Sequence, residues 1–121
     1  MSFKILLFVG FGGFFGAILR FVISQISLKI LPMGFATLMV NILGSFLMGL
    51  ILSYSSKISI SVEFKMLITA GFLGALTTFS TFAYENIVFL EQGKIATFFL
   101  NIATNVCLSI LACYVGVLIF K

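Results

Sequence analysis

Gly71-Phe72-Leu73-Gly74-Ala75-Leu76-Thr77-Thr78-Phe79-Ser80-Thr81-Phe82-Ala83-Tyr84-Glu85 is the stretch on which the reading of this chain turns. It lies inside an apolar segment long enough to cross a bilayer. Yet two glycines and four serine or threonine hydroxyls make it a poor helix centre. In hydrocarbon each backbone N–H and C=O needs a partner, so interrupted backbone at membrane depth survives only inside protein or beside water. The ends of a broken membrane helix present free carbonyls and amides, which makes such a break a pointer to an ion or substrate site.

The rest of the chain supplies the membrane. Of 121 residues, 62% are hydrophobic and 8% charged, against about 25% charged in soluble domains. A spanning helix needs ~20 mostly apolar residues, and four such segments can be marked, at about 3–26, 35–54, 66–90 and 95–120. They leave no room for a soluble domain, so residues 1–121 are expected to form a single integral membrane domain. The connections are short, as between antiparallel neighbouring helices. Lys4 before an apolar run resembles the start of a signal peptide. The run is too long for one, ends in Arg20, and no small-residue cleavage site follows, so it is read as a retained helix.

Charge and cysteine exclude several function classes. The chain contains no histidine, which removes His-based metal sites, haem ligation by His and His proton relays. The net charge of +4 forms no basic cluster of the kind that binds nucleic acid. With four spans, Lys4, Lys57, Lys65 and Lys121 share one side of the membrane, and Lys29 and Lys94 the other, with Arg20 near that second edge. The positive-inside rule puts the termini in the cytoplasm, but the bias is slight. A chain with so little bias can insert both ways round, which permits an antiparallel homodimer. Cys107 and Cys113 are six apart on one helix and point in different directions. They read as small buried hydrophobes.

Small-residue and polar stripes mark three of the spans. Gly12 and Gly16 form a G-x-x-x-G face, which serves either packing inside one subunit or a seam between two. Arg20, close to the end of its span, can snorkel to the interface. Thr37, Asn41 and Ser45 fall four apart in the second span, and Thr97, Asn101, Asn105, Ser109 and Cys113 four apart in the fourth. Residues at that spacing share a helix face. Intramembrane Asn can be glue between helices, or it can face water. Two striped helices beside a broken third point to a narrow hydrated pathway, and four helices hardly bury three polar surfaces, so oligomerisation is implied. Glu85 and Glu91 read as interfacial or helix-end groups.

The residues offer no enzyme site: there is no phosphate-binding loop, no histidine and no paired carboxylates within one span. The ligands on offer are amides, hydroxyls, backbone dipoles and rings. Phe79 and Phe82 alternate with Thr78, Ser80 and Thr81. An aromatic edge is electropositive and meets an anion, whereas a cation prefers the face. Carbonyls freed near Gly74 and Thr77 can hold a small cation.

Residues 71–82 strongly resemble the third-helix signature of the Fluc (CrcB) fluoride channels. Val40-Asn41-Ile42-Leu43-Gly44 is similar to the second-helix motif of that family, and residues 13–20, ending Ile18-Leu19-Arg20, to its first-helix pattern. The likeness covers nearly the whole chain. It implies an all-α membrane protein of the bacterial inner membrane, with four transmembrane helices per chain, a broken third helix and an antiparallel dual-topology homodimer. It further implies two fluoride pores and passive export that protects the cell from fluoride toxicity. Phe79 and Phe82 become the ring edges that contact fluoride, Asn41 the amide donor and Ser109 a hydroxyl donor. Thr37 lines a vestibule, Thr78, Ser80 and Thr81 form a polar track, and Arg20 attracts anions at a pore entrance. Gly74 and Thr77 supply carbonyls to a central sodium ion. Asn105 is placed on the pore face by its spacing from Ser109. The chief rival, a small four-helix dual-topology multidrug or cation exporter, depends on a carboxylate in its first helix, and none precedes Arg20 here.

Overall fold

A computed structural model describes residues 1–121 as helices joined by short loops, with no strand. Helix α1 covers Phe3–Leu28 and α2 covers Phe35–Lys57. The third span, Val62–Glu91, is split. Its first part, α3 (residues 62–76), comprises Val62–Met66, a π-helical stretch Leu67–Leu73 and a last α-helical turn Gly74–Leu76. Thr77 and Thr78 then take extended backbone, and α4 resumes at Phe79–Glu91. Helix α5, Ile95–Ile119, completes the chain. Four of these segments are long and apolar enough to cross a membrane. They coincide with the four expected spans, and only their ends differ, by up to one turn.

Local chemistry sets the boundaries. The Ser2 and Ser61 hydroxyls accept the Ile5 and Phe64 N–H groups and cap α1 and α3. Gly34, at φ 101°, opens α2, and Gly93, at φ 72°, follows α4. Both occupy left-handed backbone that a Cβ disfavours.

Packing divides the spans into two close pairs. A Cβ on Gly12 would strike the Leu67 carbonyl, one on Gly16 the Phe72 carbonyl, and one on Gly71 the Val9 carbonyl, so α1 and α3 meet backbone to backbone. Likewise Gly49 lies on the Cys113 carbonyl and Gly116 on the Phe46 carbonyl, which joins α2 to α5. In lipid no hydrophobic effect drives helices together, so close approach at small residues does that work. The G-x-x-x-G face of α1 is thereby assigned to packing within the subunit. Val40, Leu73 and Leu76 form the small apolar core where the pairs join.

Large side chains such as Phe11, Phe14, Ile110 and Leu111 point outward and stay exposed, as acyl chains require. Cys107 is among the exposed residues and Cys113 is half-buried, and both thiols are free. The expectation that both are buried hydrophobes fails for Cys107, which sits on the outer face of α5, where a thiol is apolar enough to meet lipid.

Candidate ion pathway at the broken third span

The break survives because one residue, Thr78, has all its polar atoms engaged. Its N–H donates to Asn41 Oδ1 at 2.8 Å, and Asn41 Nδ2 donates back to its carbonyl at 3.2 Å. A side-chain amide thus imitates the strand partner that extended backbone would otherwise need. The Thr78 hydroxyl accepts the Thr81 N–H at 3.3 Å, capping α4, and donates to Thr81 Oγ1 at 3.2 Å. Thr77 N–H and Oγ1 both turn back to the Leu73 carbonyl, at 3.1 and 3.0 Å.

The same geometry leaves carbonyls without their helical donors, those of Gly74 and Thr77 among them. In a continuous helix the Gly74 and Thr77 oxygens would receive the Thr78 and Thr81 N–H groups. Here those donors go to Asn41 and to the Thr78 hydroxyl. Ala75 O, by contrast, receives Arg20 Nε at 2.9 Å. Arg20 therefore does not simply snorkel outward: its half-buried guanidinium reaches the carbonyl end of α3, where a cation is favoured.

Beside the break lies an open groove of about 340 Å³. Asn41 from α2, Thr77 and Thr78 from the break, Phe79 and Phe82 from α4, and Asn105 and Ser109 from α5 line it. Phe82 is buried and Phe79 is 77% exposed, their ring centroids 5.4 Å apart with planes tilted by 52°. The Ser109 hydroxyl is buried and has no partner. Asn105 Oδ1 accepts the second Asn41 hydrogen at 3.0 Å. The fourth-helix stripe is thus mostly internal, with Asn101 and Asn105 buried and Ser109 and Cys113 half-buried, although Thr97 is exposed.

Other expected site residues lie outside this groove. Thr37 and Thr81, with Arg20 and Ser24, line a smaller cavity of about 80 Å³. Ser80 is exposed and within 3.4 Å of the Thr78 hydroxyl. Glu85 corrects its own expectation: far from being a helix-end group, it is buried, and its Oε2 accepts the Thr37 hydroxyl at 2.9 Å while Oε1 has no partner. Glu91, at the end of α4, is exposed as expected. Asn86 lies outside the polar stripes of the second and fourth spans. It is buried and accepts Asn101 Nδ2 at 2.9 Å. Its spacing of four from Phe82, which puts the two on one helix face, was the available signal.

Comparison with known proteins gives the family. Residues 7–117 match the family described as CrcB-like protein, Camphor Resistance (CrcB). A protein of Campylobacter lari named fluoride-specific ion channel FluC is 55% identical over 118 residues, covering 96% of this chain and 97% of its own. Its namesake from Campylobacter fetus is 47% identical over 124 residues, covering 100% and 97%. That of Aliivibrio salmonicida is 44% identical over 123 residues, covering 99% and 98%.

Proposed function

Because this chain belongs to the CrcB-like family, we propose that it is a fluoride-selective ion channel that lets fluoride leave the cytoplasm passively and so protects the cell. The family is one of ion channels, not enzymes. The observation that carries the reading is the uncharged groove at the break, lined by Asn41, Phe79, Phe82 and Ser109, in a chain akin to proteins named for fluoride.

Fluoride is small and strongly hydrated, so a pore must replace its water with protein donors yet bind weakly enough to release it. The unpaired Ser109 hydroxyl is free to donate, Asn41 brings an amide, and the Phe79 and Phe82 edges offer positive potential. No full charge lines the groove to trap the ion. Thr37, Thr78, Ser80 and Thr81 extend the polar track, with Asn105 beside it. Arg20 raises the local anion concentration at the entrance.

The same surface supports an antiparallel homodimer. An open groove with polar lining is not left to acyl chains, so a second copy covers it. Two chains bring two grooves, hence two pores, and the slight lysine asymmetry allows both orientations. The Gly74 and Thr77 carbonyls, deprived of their helical donors, suit a sodium ion shared by the two subunits at the break. When bound, it supplies a fixed positive charge near the pores. We place the protein in the bacterial inner membrane, as a multi-pass protein.

The test is fluoride efflux from liposomes containing the purified protein, with chloride as comparison. Rapid fluoride-selective efflux that Phe82→Ile suppresses is expected. No efflux from correctly dimeric protein overturns the reading.

A further inference from the structure

Four side-chain amides form a directed ladder across three spans. Asn41 Nδ2 donates to Asn105 Oδ1 at 3.0 Å, Asn105 Nδ2 to Asn101 Oδ1 at 3.0 Å, and Asn101 Nδ2 to Asn86 Oδ1 at 2.9 Å. Neither Asn86 nor Asn101 lines the groove. Both are more than nine-tenths buried. Asn is costly in hydrocarbon unless it is paired, so four of them in series at this depth call for a reason.

The direction of the ladder is fixed at two points by backbone. The Thr78 N–H can only donate, so the Asn41 atom facing it must be Oδ1. Asn41 Nδ2 then faces Asn105, which must present its oxygen. Asn105 Nδ2 must therefore point to Asn101, where the Asn101 carbonyl, an obligatory acceptor, also takes it at 2.9 Å. Asn101 must in turn show Oδ1 to Asn105 and Nδ2 to Asn86, whose oxygen ends the series. Each amide has one allowed orientation as long as its neighbours keep theirs.

We propose that Asn86 and Asn101 are positioning residues for ion passage: through Asn105 they keep the donor side of that amide turned out of the groove. This rests on the channel reading above. In the ladder Asn105 offers its donors to Asn101, so among the amides only Asn41 can release a hydrogen to the ion. Its longer bond, at 3.2 Å to the Thr78 carbonyl, is the one an anion displaces. Without Asn86, the Asn101 amide loses its acceptor and is free to turn away from Asn105. Asn105 stays fixed by Asn41 and by the Asn101 carbonyl, but the hydrogen it gave to Asn101 Oδ1 is released beside the groove. An anion met by one more amide hydrogen is held rather than passed.

The test measures fluoride efflux against internal fluoride concentration for wild type, Asn86→Leu and Asn86→Asp in the same liposomes. Asn86→Leu removes the acceptor at nearly constant volume. The maximal rate is expected to fall about tenfold, on the scale of one buried hydrogen bond, with a fall in the half-saturating concentration. Asn86→Asp still presents an oxygen to Asn101 and is expected to recover most of both. A merely structural role would change the yield of folded protein without moving the half-saturating concentration. Should Asn86→Leu fail to fold, the double variant Asn86→Leu/Asn101→Leu, which leaves no orphaned partner between the two, decides: slow efflux supports the ladder and wild-type efflux overturns it. Asn86→Leu at the wild-type rate, or Asn86→Asp as slow as Asn86→Leu, also overturns it. Wild-type protein without fluoride efflux overturns the channel reading and the ladder together, whereas active wild type with insensitive variants sinks the ladder alone.

Discussion

The two halves of the broken span are held by opposite means. Before the break, α3 meets α1 through Gly12, Gly16 and Gly71, backbone on backbone. After it, α4 is tied to α2 and α5 by polar side chains: Thr37 to Glu85, Asn101 to Asn86, and Asn41 to Thr78 at the junction. The first half is a packing joint, where dispersion between small residues substitutes for the missing hydrophobic drive. The second half is a polar joint, where each group must find a partner or face water. Damage to the first should cost folding. Damage to the second should cost conduction more than folding.

The largest effect is expected at the packing joint. Gly71→Val puts branched carbon where the Val9 carbonyl and the Gly12 and Gly13 backbone already lie. A loss of about 3 kcal/mol or more is expected, since backbone cannot rotate away as a flexible side chain can. The fraction of protein that elutes as a folded species after detergent extraction reads it. A variant as well folded as wild type would mean that the α1–α3 seam is loose, and the contrast between the halves would fall. Next comes Asn41→Leu, which strips Thr78 of the partner for both its N–H and its carbonyl. Efflux is expected to drop ~100-fold, the rate equivalent of roughly 2.7 kcal/mol, with a smaller loss of thermal stability. An equal loss of both would show that the junction serves folding alone.

The contrast also explains what could be read in the sequence. The four spans and the break were legible because length, hydropathy and the interruption at 71–85 are local properties. The groove was partly legible: Asn41, Phe79, Phe82, Asn105 and Ser109 do converge, and helical spacing of four had placed the second- and fourth-span residues on common faces. Three things were not legible. Glu85 looked terminal because its partner, Thr37, is 48 positions away. Asn86 shares a face with Phe82, but its role exists only through Asn101, 15 positions away on another span. The use of Arg20 depends on a carbonyl that the break exposes 55 positions later. Pairings between spans are set by crossing geometry, which no single-helix periodicity encodes.

A milder effect is expected at Thr37→Val, which leaves Glu85 Oε2 without its hydroxyl donor. About 1 kcal/mol of stability should be lost, read as a lower unfolding temperature in detergent. Thr37→Ser keeps the donor and should behave as wild type. If Thr37→Ser loses stability and Thr37→Val does not, the methyl contact and not the hydrogen bond holds α4 to α2, and the polar account of the second half weakens.

The smallest effect tests whether the packing joint depends on glycine as such or only on the glycines in contact. Gly10 stands on the same helix as Gly12 and Gly16, yet a Cβ there meets nothing within 4 Å. Gly10→Ala therefore adds a methyl to open space and removes backbone freedom from the unfolded chain, a gain of up to about 1 kcal/mol in helix propensity. Gly12→Ala, two residues on, drives the same methyl into the Leu67 carbonyl. The pair should move the unfolding temperature in opposite directions, Gly10→Ala slightly up and Gly12→Ala clearly down. If both lower it, glycine matters along the whole of α1 for flexibility, and close approach to α3 is not what selects it.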